Sequence, residues 1–296
     1  MFWEMLSEPG KPLGAFTGTL TNDKMTPIKF IEQGYVGDTI DGGASVWLQN
    51  ANGDGSQCRR FKTEEDGADP DDAPPADWPP ANALTGFEKK TEDSVPVRCR
   101  CKGVDLILHR GEYKGIKKED LPWNVDPETR KLSTVFCGCN SCRLQGGTDL
   151  WYWAYFDMRH LSAANGGSPF PKSKHELKAF IDEKNPVVGS LAYYASATRA
   201  GVLRFFCGTC SATAFFAEDN RPELLDVSVG LLDAPDGARA EGFLSWSFGE
   251  IDFKGDADGG WRTKHFEGVE KEAEKWRSAR GYPMNWRRLG GGTAQS

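Results

Sequence analysis

Seven of the eight cysteines in this chain fall into three short clusters, and no other feature of the sequence constrains the fold as strongly. The clusters are CRC (Cys99, Cys101), CGCNSC (Cys137, Cys139, Cys142) and CGTC (Cys207, Cys210). Repeated C-x-C and C-x-x-C knuckles are typical of zinc held by thiolates. Disulfides are the rival, but they are typical of short secreted chains, and this chain has 296 residues and an odd number of clustered cysteines. The sequence therefore predicts cysteine-bound zinc.

The seven thiols divide into a set of three and a set of four. The three-cysteine cluster (Cys137, Cys139, Cys142) lies on one short loop and can grip a single ion from three sides. The remaining pairs make the four-cysteine cluster (Cys99, Cys101, Cys207, Cys210), which can close one tetrahedral site between two hairpins. We therefore expect two Zn²⁺ per chain, one structural and one with an open fourth position.

Two kinds of residue compete for that open position. Cys58, in DGSQCRRF, can close it and would make two closed sites from eight cysteines. A histidine can also fill it, although none lies at ligand spacing from the loop. The histidines are His109, His160, His175 and His265.

The composition is that of an ordinary globular protein, with 39% hydrophobic residues and a net charge of -7. An acidic chain has no general affinity for nucleic acid or for anionic membranes, so we expect neither as a partner. Its apolar runs are too short to span a membrane, and the first ten residues do not resemble a signal peptide. The sequence predicts a cytoplasmic protein and leaves its oligomeric state open.

Short apolar or alternating runs separated by Gly, Pro, Asn and Asp follow residue 90, which predicts a mainly β fold of antiparallel hairpins. Two helices are expected, one in KHELKAFIDEK and a C-terminal one in FEGVEKEAEKWRSAR, where Val269, Ala273 and Trp276 form an apolar stripe. Residues 63–82 are acidic and rich in proline, which suggests a linker. The predicted units are 1–62, a linker at 63–90, a zinc-binding domain at 91–262, and a C-terminal helix and tail at 263–296.

The N-terminal unit is weakly similar to a later part of the chain. Residues 1–22 and 214–234 share an aromatic pair, a charged loop with proline and an alternating run that ends in Gly-x-Leu. If the similarity reflects a repeat, the chain opens with a degenerate β half-repeat that has lost its cysteines. Two unrelated hairpins with similar turns explain the pattern equally well.

The cysteine motifs, in this order, resemble the glutathione-dependent formaldehyde-activating family. The segments that carry the resemblance are VRCRCKGVDL, FCGCNSCRLQGG and RFFCGTCSATAFF. RPELLDVSVGLLD and ARAEGFLSW also resemble the end of that domain in fungal versions, so the likeness covers roughly residues 95–250. It implies a zinc-bearing β-tent, with the structural zinc at the four-cysteine cluster and the active-site zinc at the three-cysteine cluster.

Three positions depart from the family pattern. Lys102 and Ser211 replace glycines that follow the first and third knuckles, and Gly138 replaces a histidine in the second. We expect Gly103 to relieve backbone strain in place of the first lost glycine. Loss of the histidine predicts a larger pocket and a bulkier substrate than formaldehyde.

Three thiolates give the bound zinc a net charge of -1, which disfavours water activation and favours exchange of a substrate thiolate or carbonyl oxygen. The predicted function is a carbon–sulfur lyase-type reaction on a thiol adduct of a carbonyl or imine compound, with glutathione as the thiol that the resemblance suggests. Arg143 is expected to bind a carboxylate, and Trp151 and Trp153 to line the apolar wall. The alternative is a zinc-stabilised, non-catalytic protein-binding module.

Overall fold

The computed structural model of the protein describes residues 16–24, 28–63, 73–75, 78–80, 93–166 and 169–290. These residues form twelve strands and three α-helices, joined by short 3₁₀ turns. The strands are β1 (Glu32–Gln33), β2 (Arg59–Arg60), β3 (Ser94–Arg98), β4 (Asp105–His109), β5 (Leu132–Cys137), β6 (Trp151–Asp157), β7 (Leu161–Ala163), β8 (Leu191–Ala195), β9 (Val202–Cys207), β10 (Thr213–Glu218), β11 (Leu224–Ser228) and β12 (Leu244–Asp252). The helices are α1 (Asn140–Gly146), α2 (Lys174–Asp182) and α3 (Arg262–Ala279).

Two sheets carry most of the strands. The larger has seven strands in the order β12-β5-β6-β11-β10-β9-β8, and the smaller has three in the order β3-β4-β7. Every pairing in them is antiparallel except β12 with β5, which is parallel. The inward side chains of both sheets meet in one apolar core. The predicted mainly β fold is confirmed.

Burial along the strands follows their positions in the sheets. In β3 and β4 buried and less buried residues alternate, with Val95, Val97, Leu106 and Leu108 facing the core. All six residues of β5 are buried. This strand lies between β12 and β6 and is covered on both faces, so even Ser133 and Thr134 are buried.

Both predicted helices are present as α2 and α3. The α3 stripe is also confirmed, since Val269, Ala273 and Trp276 are buried in the core together with Phe266. The short α1 was not predicted from periodicity, because its seven residues, Asn140–Gly146, begin inside the cysteine motif and are too few to show a helical repeat. Its position follows from the cysteine motif instead: Cys139 is the N-cap, and its sulfur accepts the Cys142 N–H.

The described part of the N-terminal unit consists mainly of 3₁₀ turns and loops, with β1 and β2 paired in parallel. Residues 1–15, which hold most of the proposed half-repeat, and most of the 63–90 linker lie outside the described residues. The unit packs on the same core as the rest of the protein. Trp47 is 1% exposed, and its ring centroid lies 5.1 Å from that of Phe136 and 5.3 Å from that of Trp246.

Within the part of the chain that the structure describes, no helix has both the length and the apolar character needed to cross a membrane.

We predict that Trp47→Ala lowers the free energy of unfolding by about 3–5 kcal/mol, because it empties a packed aromatic site and removes the indole N–H bond to the Tyr152 hydroxyl, at 3.0 Å. Trp286→Ala is the matched control, since Trp286 is 38% exposed and should cost about 0.5 kcal/mol or less. Denaturant unfolding measures both. Equal, small effects would show that the N-terminal unit does not share the core.

Candidate metal centre

The four-cysteine cluster joins the turns of two hairpins that belong to different sheets. Cys99 and Cys101 lie between β3 and β4, Cys207 is the last residue of β9, and Cys210 lies in the turn between β9 and β10. All four sulfurs lie within 4.8 Å of one another, and Cys101 Sγ is 3.5 Å from the sulfurs of both Cys99 and Cys207. Zinc–sulfur bonds of about 2.3 Å in a tetrahedron place the sulfurs about 3.8 Å apart, so the arrangement fits a closed metal site.

Backbone N–H groups point at these sulfurs. The amide of Val104 donates to Cys99 Sγ and that of Gly103 donates to Cys101 Sγ, both at 3.4 Å. At the other hairpin the hydrogen bond from the Ala212 amide is the first cause that lowers the pKa of Cys210 to about 7. The amide bonds of both turns favour the thiolate form that a metal needs, whereas the bonds of Cys101 to the Cys210 and Cys99 sulfurs raise its pKa to about 12.

The backbone is strained at the two knuckle positions where another residue replaces the glycine of the family pattern. Lys102 has φ 57° and Ser211 has φ 62°, which is the left-handed region that glycine adopts without strain. The expectation that Gly103 takes over this role is wrong, because Gly103 is not among the residues with positive φ. It is needed for space instead: a Cβ there would lie 2.8 Å from Cys207 Sγ.

The three-cysteine cluster lies where β5 ends and α1 begins. Its sulfurs lie within 4.8 Å of one another, and Cys137 and Cys142 Sγ are 3.7 Å apart. The Cys142 amide donates to Cys139 Sγ at 3.3 Å. The pKa of Cys139 is lowered to about 2, first because the Cys137 thiol donates to it, while the pKa of Cys137 is raised well above its usual value.

The residues that compete for the fourth position lie elsewhere. Among the described residues, no fourth cysteine, histidine or carboxylate joins the cluster. Cys58 bonds the carbonyl of Phe30 at 3.3 Å, and His265 Nδ1 lies 2.7 Å from the Ala51 oxygen. The other histidines contact residues of other regions, His109 with Ser162, His160 with Tyr113 and His175 with Asp219.

Two donors approach the three sulfurs from the sheet. The Trp153 indole N–H donates to Cys142 Sγ at 3.3 Å, and an Arg204 guanidinium nitrogen lies 3.6 Å from the same sulfur. Arg204 is buried, and burial alone would lower its pKa, yet the nearby Cys142 thiolate raises it. The cluster therefore has a fixed cation beside it.

Arg204 was missed by the sequence analysis. Its signal was a single arginine in VLRFFC, an otherwise apolar strand that ends at a cysteine knuckle. A buried arginine in such a run needs an anionic partner, and the thiolates of the other cluster supply it.

Arg143 and Trp151 do not line the cavity above the thiols. Arg143 donates to the backbone oxygens of Gly18 and Leu20 and to the Asn140 side chain, so it anchors the N-terminal unit to α1. Trp151 donates to the Ser228 hydroxyl at 3.2 Å. Of the three residues predicted to bind substrate, Trp153 alone lines the cavity.

Gly138 also points away from the cavity, which overturns the expectation of an enlarged pocket. A Cβ at this position would lie 2.5 Å from Phe266 of α3 and 3.1 Å from Ile251. The space that a histidine would need is filled by the C-terminal helix. Glycine is therefore required here by packing, and the cavity gains no volume from it.

A cavity of about 430 Å³ opens over the three-cysteine cluster. Its charged lining residues are Arg199, Arg204, Arg221, Arg287, Glu218, Asp226 and Asp252.

Most of these cavity charges form pairs. Arg221 bonds both Glu218 and Asp226, and Arg287 bonds Asp252 at 3.1 Å. Burial raises the pKa of Asp226 and of Asp252. Among the described residues Arg204 has no carboxylate within ion-pair distance, which leaves the thiolates as its anionic neighbours.

Neither the family models nor the curated proteins contain a match to this chain. Among solved structures, this chain is similar to the crystal structure of a Rhodobacter sphaeroides protein determined by structural genomics. It is 18% identical, the alignment covers 51% of this chain and 98% of that chain, and the TM-score is 0.28.

We predict that Lys102→Gly raises the free energy of unfolding by about 0.5–1 kcal/mol, because glycine relieves the left-handed strain at the first knuckle. Gly103→Ala, one residue later, is the matched control and should destabilise the protein, since its Cβ would press on Cys207 Sγ. Thermal unfolding of the metal-loaded proteins compares the two. A lower melting temperature for Lys102→Gly would contradict the strain argument.

Proposed function

We propose that the protein is a zinc-dependent enzyme of the carbon–sulfur lyase type, which acts on a thiol adduct of a carbonyl or imine compound in the cavity above the three-cysteine cluster. One observation carries the proposal: the cavity opens on three thiols that lie close enough to hold one metal ion, and the described residues supply no fourth ligand. A purely structural zinc site would be closed by a fourth protein side chain.

The donor set supports zinc. Both clusters offer only thiolates, which are ligands that Zn²⁺ prefers, and the sulfur separations fit a tetrahedral ion. Cys137, Cys139 and Cys142 would hold the ion of the open site. When bound, that ion would supply an exchangeable position for a thiolate or carbonyl oxygen.

Arg204 and Trp153 tune the charge of the open site. Three thiolates and Zn²⁺ carry a net charge of -1, and the Arg204 guanidinium beside Cys142 brings the local sum to zero. The Trp153 N–H lowers the electron density on the same sulfur. Both effects favour entry of an anionic thiolate, which a negatively charged site would otherwise repel.

The cavity wall fits a small polar substrate with an apolar portion. Trp153 and Phe216 provide aromatic surface. Arg199, whose side chain is 58% exposed, bonds Glu218 at 2.7 Å at the solvent side of the cavity, beside Thr198 and Asn220, and a substrate carboxylate would share its guanidinium with Glu218. Glutathione is the first thiol to test, because the sequence resembles a family that uses it.

The test is exchange NMR with glutathione and formaldehyde, and then with larger aldehydes, in the presence of zinc-loaded protein. We expect the thiol and its adduct to exchange faster than the uncatalysed rate, and Cys139→Ser to lose most of that acceleration. Cys58→Ser is the matched control, since Cys58 lies outside both clusters and a serine keeps its bond to Phe30.

An equal rate with and without the protein, for every pair of thiol and aldehyde, would contradict the enzyme proposal. The protein-binding module would then be the better account.

A further inference from the structure

We infer that the hydroxyl of Tyr155 is a catalytic hydrogen-bond donor that stabilises the oxygen of the carbonyl substrate, and that Arg287 and Asp252 position it. This inference rests on the proposed function. It concerns residues to which the cysteine motifs give no role, and Arg287 lies outside the segment that resembles a known family.

Tyr155 faces the same cavity as the three thiols. Trp153 and Tyr155 are two residues apart on β6, so their side chains lie on one face of the strand, with Cα atoms about 7 Å apart. Trp153 contacts Cys142, and Tyr155 belongs to the same buried cluster as Cys137 and Cys142. The phenol therefore lines the cavity on the same face of β6 as the Trp153 indole that contacts Cys142.

The ring of Tyr155 is held on several sides. It packs edge-on against Trp123, with centroids 4.9 Å apart, and the guanidinium carbons of Arg221 and Arg287 lie 5.5 and 5.3 Å from its centroid. Because the ring cannot turn away without losing these contacts, its hydroxyl has a fixed position.

The hydroxyl itself is oriented by a chain of bonds that starts at the metal loop. Asp252 is the strand partner of Cys137, and its carbonyl accepts the Gly138 N–H at 2.9 Å. The Asp252 carboxylate accepts from Arg287 at 3.1 Å, and Arg287 donates to the Tyr155 oxygen at 3.2 Å. The last 3₁₀ turn, Arg287–Leu289, thus links the phenol to the cysteine loop.

The bond from Arg287 uses the phenol as an acceptor and leaves its proton available. Among the described residues, no protein group accepts that proton. A phenol ordinarily titrates at about pH 10, so it is protonated at neutral pH. A protonated phenol that already accepts one charged hydrogen bond is a strong donor to an oxyanion.

The step balances without an oxidant or reductant. The substrate thiol loses its proton to solvent, its sulfur forms a bond to the carbonyl carbon, and the electron pair of the carbon–oxygen double bond moves to oxygen. The Tyr155 hydroxyl stabilises this oxyanion, which takes a proton from solvent as the hydroxy thioether is released. Cleavage of the carbon–sulfur bond follows the same steps in reverse.

Ligand binding to the cobalt-substituted protein tests the inference apart from turnover. Mercaptoacetate combines a thiol with carboxylate oxygens that mimic the oxyanion, whereas ethanethiol offers the thiol alone. Tyr155→Phe should lower the affinity for mercaptoacetate by about tenfold or more, because one hydrogen bond to a charged oxygen is lost. The affinity for ethanethiol should not change. Tyr193→Phe, whose hydroxyl bonds Asp182 at the surface, is the matched control.

A second measurement does not need thiol binding. With ¹³Cζ-labelled tyrosine, the Tyr155 signal, identified by its loss in Tyr155→Phe, should shift saturably on addition of acetate. Equal mercaptoacetate affinities in the wild type and Tyr155→Phe, or a Tyr155 signal that acetate does not move, would overturn the inference. If both binding results are as expected and no turnover is found, the proposed function is overturned, and Tyr155 remains an oxyanion-binding group without a catalytic role.

In a catalytically active preparation, Tyr155→Phe should lower kcat about 100-fold or more, with the metal content unchanged. An unchanged kcat would overturn the catalytic role of Tyr155 and leave the proposed function standing.

Discussion

Repulsion between neighbouring thiolates is the constraint on which this structure depends. The four-cysteine cluster brings four sulfurs within 4.8 Å, and the two turns that supply them belong to different sheets. Thiolates this close need a cation between them, so a metal ion held there would tie the three-stranded sheet to the seven-stranded one. A structural zinc contributes on the order of 10 kcal/mol, which is comparable to the net stability of a domain. Such a link would act together with the shared apolar core to fix the relative position of the two sheets.

In the three-cysteine cluster, side chains from neighbouring strands also reduce the repulsion between the sulfurs. Its loop supplies three sulfurs, and the rest of the charge balance comes from β9, where Arg204 approaches Cys142, and from β6, where Trp153 donates to it. The C-terminal part of the chain completes the surroundings, because Asp252 pairs with the loop and Arg287 with Asp252. An open metal site surrounded by fixed donors is suited to ligand exchange, whereas a closed one is suited only to support.

Local patterns in the sequence predicted much of this. The division of the cysteines, the hairpins and the stripe of α3 follow from spacing and periodicity, which are short-range signals. The residues that were missed or misassigned depend on contacts between distant segments. Arg143 is adjacent to Cys142 in sequence, yet its side chain donates to the backbone oxygens of Gly18 and Leu20. Arg204, 62 residues away from Cys142, is the arginine that lies beside the sulfur. Likewise, Phe266 of α3 leaves no room for a side chain at position 138, and no local sequence pattern predicts this contact.

Cadmium-113 NMR of the cadmium-substituted protein tests the central claim, that one thiolate site is closed and the other is open. We expect two resonances: one at the position of a four-thiolate site, and one shifted away from it because the fourth ligand is not sulfur. Ethanethiol should move only the second resonance, and Cys139→Ser should remove only the second. Two resonances that both lie at the four-thiolate position and do not respond to ethanethiol would contradict the account.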